Sequence, residues 1–409
     1  MRLASWSCFA LMSGALMLHP ACAGAAATGV TVTTADMDGD GNPDVVALNA
    51  ANRQVDVLLV SASGSFALQA QDYHDIGDMT ALAVADVNGD GWPDVIVTDG
   101  SGSASGVRVL LNKGDGTLAA DVSYSSGAAG THGPVAVIVA DVNGDGHPDI
   151  IVANDSAGTV SVLLNHGDGS FAASVTYPAG SEPVALAMAD LDGDGFPDLV
   201  VADLSGDSMQ VLLNEGDGSF AAPMSETVGS QPVALTLADL DGDGHVDIVV
   251  ADQGDDTAAV LPGHGDGSFA AASFYQTGAQ PGWITAQDLN GDGRLDLVTD
   301  NYSDGSVSLF DNTGGSFGHQ QQLFPAYGSY GTVVMSIGGS PQVVSPNVQA
   351  GQVQVTPAAE AVQRGNAAKA TVSHIAGDQD PQSSGGTGAV DLLSLFLLGL
   401  AGLCRRSSR

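Results

Sequence analysis

A nine-residue acidic motif, D-x-[DN]-G-D-G-x-x-D, recurs six times along the 409-residue chain, starting at Asp36, Asp86, Asp141, Asp190, Asp239 and Asp288. The intervals are 50, 55, 49, 49 and 49 residues. A fixed period of that size denotes stacked or radial repeats rather than a domain built around one core. Within the motif, carboxylates at positions 1, 3, 5 and 9 and a backbone carbonyl at position 7 supply hard oxygen donors. Such a set suits an ion with metal-oxygen distances of about 2.4 Å, and Gly at position 6 permits the sharp turn. The predicted ion is calcium, about six per chain. Position 9 is Asp in all six copies and the flanks are strand-like, which excludes the helix-flanked loop that ends in Glu at position 12. Flanking runs such as VALAMAD and DLVVAD are short, rich in Val, Leu and Ala, and bounded by Gly, Pro and Asp. They read as two buried strands of a hairpin that the ion would staple.

The third repeat shows the whole unit. Strands are predicted over 135–140, 150–153, 159–165 and 171–177, separated by the acidic loop 141–149, the turn NDSAG and the turn HGDGS. Four antiparallel strands per repeat make a blade, and the fold predicted is an all-β propeller; a solenoid is the competing arrangement, although its repeats run shorter with fewer strands. The first strand of each unit, rich in alanine, suits the crowded axis. Phe66, Phe171, Phe220, Phe269 and Phe317, with Leu118 in the second repeat, are expected to pack between blades. After Phe324, SPQVVSPNVQAGQVQVTP aligns with HPDIIVANDSAGTVSVLLN, placing Asn347 on Asn154 and Gly351 on Gly158. This is a seventh blade without its calcium loop, Gly338 to Ser340 standing in its place, with an outer strand expected near 367–374.

Ten Lys and Arg against 47 Asp and Glu give a net charge of −37, which excludes nucleic acid and anionic membrane surfaces as partners. The six loops hold 21 of the Asp, and six divalent ions would offset 12 charges. Cys8, Cys22 and Cys404 all lie in the terminal segments, so the body has no disulfide and metal would be its cross-link. Residues 1–23 read as a secretory signal peptide ending Ala21-Cys22-Ala23, which predicts export. The body spans 24–376, followed by a polar linker over 377–388 and a segment over 389–409 whose apolar run ends in Arg405, Arg406 and Arg409. That run is the only predicted contact with a membrane.

The loops, together with the turns N-K-G-D-G-T-L, N-H-G-D-G-S-F and N-E-G-D-G-S-F, resemble the FG-GAP and VCBS repeats of integrin α-subunit-like propellers. The resemblance covers about 30–357 and implies a seven-bladed propeller with calcium between the first and second strands. Carried over residue by residue, it implies ligands Asp36, Asp38, Asp40, Asn42 and Asp44 in the first loop and Asp86, Asn88, Asp90, Trp92 and Asp94 in the second. The third set is Asp141, Asn143, Asp145, His147 and Asp149, and the fourth Asp190, Asp192, Asp194, Phe196 and Asp198. The fifth is Asp239, Asp241, Asp243, His245 and Asp247, and the sixth Asp288, Asn290, Asp292, Arg294 and Asp296; position 7 serves through its carbonyl throughout. Gly-Ala-Pro of the family motif has become GSEP, GSQP and GAQP, so integrin ligand specificity does not transfer. With Gly385-Gly386 ahead of it, the C-terminal segment resembles a GlyGly-CTERM sorting signal of Gram-negative bacteria. That implies a transient inner-membrane anchor cut by a rhomboid-type protease and delivery to the cell surface or medium; a plain tail anchor is the alternative.

The loops are read as scaffold, which leaves ligand binding to the opposite face. There the connections around the second blade are longest, at 99–106 and 125–134. Tyr73, Tyr124, Tyr177, Tyr275, Trp283, Tyr302 and Tyr327 lie near that face, either stacking on sugars or capping outer strands. His147, His166, His245 and His264 are read as solvated. No G-x-S-x-G, no H-E-x-x-H and no body Cys occur, and the body's cations are few: Arg53, Arg108, Lys113, Arg294, Arg364 and Lys369. The reading is therefore a monomeric, non-enzymatic, exported adhesion or ligand-binding propeller for an extracellular protein or glycan. A polysaccharide lyase or hydrolase on the same scaffold is the alternative.

Overall fold

The computed structural model describes residues 32–49, 53–61, 66–71, 79–100, 105–127, 133–318, 321–323, 333–337, 340–347, 352–357 and 370–371. The expected signal peptide, linker and C-terminal segment lie outside them. The described chain is all-β, with strands paired into seven four-stranded antiparallel sheets, each a meander taken in chain order. In the third sheet the strands are Pro134–Ala140, Asp149–Asn154, Thr159–Leu163 and Val175–Pro178, and the fourth to sixth sheets repeat this plan. In the seventh sheet Val333–Ile337 pairs directly with Ser340–Asn347, Ile337 opposite Ser340, so only two residues stand where the other blades carry an acidic loop. Gln352–Pro357 and Ala370–Thr371 complete that sheet.

The second strand of each blade reads as an apolar run without alternation because neighbouring sheets cover both its faces. All six residues of Asp94–Asp99, Asp149–Asn154, Asp198–Asp203, Asp247–Asp252 and Asp296–Asn301 are buried. The core is accordingly a series of layers between sheets. Val46 and Val57 of the first sheet pack with Val95 and Leu110 of the second. Val107 and Val109 of the second pack with Val152 and Leu163 of the third, and Val160 and Val162 of the third with Val201 and Leu212 of the fourth. One continuous layer joins the fourth, fifth and sixth. Inner strands lie side by side from the first sheet to the sixth, buried at their start and half-buried along the rest, so the expected axial position of the alanine-rich strand is met.

The outer strand differs from the sequence expectation. Phe171 is not its first residue; it forms an isolated bridge with Asn165, and the ladder resumes only at Val175. The reason is packing, because the ring turns toward the preceding sheet and meets Tyr124 edge to face at 5.3 Å between centroids. Tyr177 and Phe220 repeat the contact at 5.7 Å, and Tyr275 and Phe317 at 5.3 Å. The expected inter-blade role is thus observed for Phe171, Phe220 and Phe317, each with an outer-strand Tyr as partner, while the Phe66 side chain lies outside the described ones. In the fourth sheet Glu226 occupies that Tyr position, so Phe269 of the fifth has no aromatic partner there.

Phe220 is 6 % exposed and Phe274, on an outer strand, 52 %. Phe220→Ala is expected to cost about 3–5 kcal/mol, part of it the edge-to-face pair, while Phe274→Ala stays within about 0.5 kcal/mol. Denaturant midpoints of the two variants check this difference.

Candidate metal centres

Each acidic loop winds round its first carboxylate. In the fourth loop Gly193 and Gly195 take φ of 79° and 92°, a left-handed backbone that Gly adopts without penalty. Their N–H groups then donate to Asp190 Oδ1 at 2.7 Å and Oδ2 at 3.1 Å. The same two bonds form in the other five loops. Position 3 accepts from the N–H of position 5, at 3.2 Å for Asp192 and 2.9 Å for Asn88. Position 5 accepts from the N–H of position 7, at 2.8 Å for Phe196 to Asp194 and 2.9 Å for Trp92 to Asp90. Asp and Asn at position 3 therefore build one loop shape, and the loops differ in charge rather than geometry. Asn88 and Asn143 turn their amide nitrogens to Asp90 and Asp145, and Asn290 turns its own to Asp311.

Three carboxylates come together in each all-Asp loop. One oxygen each of Asp36, Asp38 and Asp40, of Asp190, Asp192 and Asp194, and of Asp239, Asp241 and Asp247 lies within 4.8 Å of the others. Every side-chain donor is oxygen, which fits a hard divalent cation and not a thiophilic one. In the sixth loop Arg294 lies 3.6 Å from Asp292, an exposed ion pair at the loop rim.

Position 9 is set apart by burial. Asp44, Asp94, Asp149, Asp198, Asp247 and Asp296 are at most 2 % exposed. One carboxylate oxygen of each accepts the N–H of loop position 2, as Leu191 to Asp198 at 2.8 Å. The other accepts an N–H sixteen or eighteen residues on, from Val60, Asn112, Asn165, Asn214, Gly263 and Asn312 in turn. Burial pushes all six carboxyls up, to about 6 for Asp94, Asp149 and Asp296, against the pull of their two backbone donors.

The turn between third and outer strands holds residues that the sequence reading passed over. Asn112, Asn165, Asn214 and Asn312 each donate twice through Nδ2. One bond goes to the position 8 carbonyl of their own loop, the other to the position 2 carbonyl of the loop before. For Asn214 these are Pro197 O at 3.1 Å and Val142 O at 2.8 Å. Their recurrence as N-x-G-D-G or N-x-G-G, sixteen or eighteen residues after position 9, is the available signal. The first Gly of that turn makes room for the position 7 side chain: a Cβ on Gly114 or Gly216 would lie 2.7 Å from the Trp92 ring or 2.9 Å from the Phe196 ring. His147 and His245 sit likewise against Gly167 and Gly265; His147 is half-buried there, while His245, like His166 and His264, is exposed as the sequence suggests.

On the opposite face the long connections at 101–104 and 128–132 lie outside the described residues, as do Tyr73 and Tyr327. Tyr124, Tyr177 and Tyr275 are engaged between blades, and Tyr302 is exposed. Arg108 is held by Asp99 at 2.7 Å and Asp121 at 2.8 Å. Asp252, at the end of the second strand of the fifth sheet, is fully buried; Oδ2 accepts from Thr257 at 3.3 Å and Oδ1 has no partner. Burial pushes its carboxyl up to about 7, aided by Asp255 and Asp207. The third and sixth sheets carry Asn154 and Asn301 at this position, their amides donating to hydroxyls.

The FG-GAP-like repeat pattern matches residues 36–97, 86–152, 141–201, 190–250 and 239–299, which is more than half of the chain and takes in all six loops. This protein belongs to the FG-GAP-like repeat family. No curated protein matches it. Among solved structures, a lectin of Agrocybe aegerita that recognises non-reducing terminal N-acetylglucosamine is 26% identical, with a TM-score of 0.53 over 73% of this chain and 81% of that one. A 6-phosphogluconolactonase candidate from Bacteroides fragilis is 16% identical, with a TM-score of 0.52 over 84% of this chain and 94% of that one. At that identity the second likeness shows the propeller-like fold alone.

Two predictions follow from the charges. Asp194→Ala and Asp292→Ala remove corresponding loop bonds; at about 10⁻⁴ M calcium, Asp194→Ala should lower the melting temperature more, its loop having four carboxylates rather than three. Equal losses in calcium would show that loop shape outweighs charge. For Asp252 the folded value lies above the ordinary 3.8, so its contribution to stability is full below pH 3.8 and is lost as pH rises through about 7. Asp252→Asn should leave the melting temperature unchanged near pH 4 and raise it at pH 8, as differential scanning fluorimetry would read.

Proposed function

We propose that this protein is an exported, calcium-stiffened propeller closed from seven blades, which binds a glycan on the face opposite the acidic loops. The likeness to the N-acetylglucosamine-recognising lectin carries this reading, because its identity is high enough to bear on more than the fold. The loops supply rigidity in this reading. Six clusters holding 21 Asp repel one another when empty, so calcium links folding to metal concentration. Export rests on the signal peptide read at 1–23, and surface delivery on the segment read at 389–409. A monomer suffices for both.

The charge pattern weighs against a lyase for acidic polysaccharide, which needs free cations to neutralise substrate carboxylates. Among the described residues Arg108 is already neutralised by two Asp, Lys113 donates to the Leu118 carbonyl and Arg294 faces Asp292, which leaves Arg53, exposed in the first sheet, as a single cation rather than a cluster. A glycan array that includes terminal N-acetylglucosamine, run with and without chelator, tests the proposal. Calcium-dependent retention of a saccharide with no release of reducing ends is expected. Reducing-end release would replace it with the enzyme reading, and an array without binders that accompanies capture of a cell-surface protein would replace it with a protein ligand.

A further inference from the structure

We infer that Asn112, Asn165, Asn214 and Asn312 are positioning residues for the metal loops, each setting two neighbouring loops at once, so that filling one loop raises the affinity of the next. The inference rests on the proposal that the loops hold calcium. Its evidence is the pair of bonds from one amide nitrogen: Asn165 reaches Val87 O at 2.8 Å and Pro148 O at 2.9 Å, and Asn312 reaches Leu240 O at 2.7 Å and Leu295 O at 2.9 Å. Position 2 lies between two ligand positions and position 8 adjoins ligand positions 7 and 9. A shift in either loop on taking up an ion therefore moves a carbonyl that the shared amide holds. All four Asn are at most 4 % exposed, so water does not compete for these bonds. Each Asn also accepts from its turn through Oδ1 and donates its own N–H to the position 9 carboxylate, which leaves the amide no freedom to rotate.

The exceptions fall where the inference expects them to matter. Val60 holds the Asn position in the first sheet. In a closed ring its preceding neighbour is the seventh sheet, whose first two strands have no acidic loop between them to hold. Gly263 holds the position in the fifth sheet, and a Cβ there would lie 2.2 Å from Val246 O. The Gly267 N–H still reaches Leu191 O at 3.0 Å, as the Gly116 N–H reaches Met37 O beside the Asn112 amide, but no side-chain amide spans the fourth and fifth loops. The same junction lacks the Tyr–Phe pair, Glu226 standing where Tyr does elsewhere. The clamps thus join the first four loops into one group and the last two into another.

The junctions on either side of the fourth loop give an internal test. Phe196 is position 7 of that loop, and Phe196→Trp places an indole where Trp92 sits in the second loop. Terbium(III), a probe of calcium size, reports filling of the fourth loop as the sensitised luminescence gained over the parent protein. Asp145→Ala disables the third loop and Asp243→Ala the fifth. Expected is a loss of about fivefold or more in terbium affinity at the fourth loop for Asp145→Ala, and less than about twofold for Asp243→Ala. Adding Asn214→Ala should abolish the effect of Asp145→Ala, whereas a merely structural Asn would lower melting temperature with and without metal and leave that coupling intact. Equal effects from both neighbours, no effect from either, or coupling that survives Asn214→Ala would overturn the inference. The comparison of Asp145→Ala with Asp243→Ala decides it even where Asn214→Ala fails to fold. No luminescence gain at all would overturn the calcium proposal beneath it.

Discussion

A carboxylate cut off from water must have its oxygens bonded, and the Asp at loop position 9 meets that demand with two backbone donors from different parts of its blade. Asp198 is fully buried; it holds the loop through Leu191 and the turn through Asn214, sixteen residues away. The acidic loop, the second strand and the third strand are thereby fixed to one point. The position 1 carboxylate then shapes the loop rim, and the turn Asn extends the arrangement to the blade before. Charge at the rim comes from residues with solvent access, while the fixed point beneath it is buried. The loop is built to keep its shape across the two kinds of rim that the sequence carries, with Asp or with Asn at position 3.

Much of this is legible in the sequence. The nonapeptide and its period announced a repeat; the apolar run after each loop announced a strand covered on both faces, and VALAMAD an inner strand. The turn Phe was read correctly as a contact between blades. What was not legible depended on pairing across the period. Nothing local marks Tyr177 as the partner of Phe220, or Asn214 as a donor to Val142, because the partners are tens of residues apart. The outer strand was drawn too early for the same reason: Phe171 has strand-like neighbours, but its ring packs on Tyr124 of another sheet and the backbone leaves the ladder to allow it. At position 7 only the fold brings a glycine beneath the His147 ring, which is half-buried, whereas His245 stays exposed as its polar loop suggests.

The fourth and fifth sheets meet differently from the rest. Their aliphatic layer is continuous with that of the sixth, and on the face away from the loops Asp207 and Asp255 accept from Ser230 and Gln231. The aromatic pair and the Asn clamp are both missing there. A junction held by aliphatic burial and by carboxylates has a different dependence on salt and pH from one held by amides and rings. Asp252, buried with a high carboxyl pKa, lies next to that junction, against Gly229.

The clamp also has a direction. Its amide reaches from the turn of one blade to the loop of the blade before it, never to the one after. A segment of 49 residues copied in tandem would therefore bring its own Asn, find a carbonyl waiting in the preceding copy, and offer one to the copy that follows. A propeller assembled in this way can lengthen by internal duplication without designing a new interface, and the two positions where the amide is lost, Val60 and Gly263, mark the ends of a run rather than defects in it.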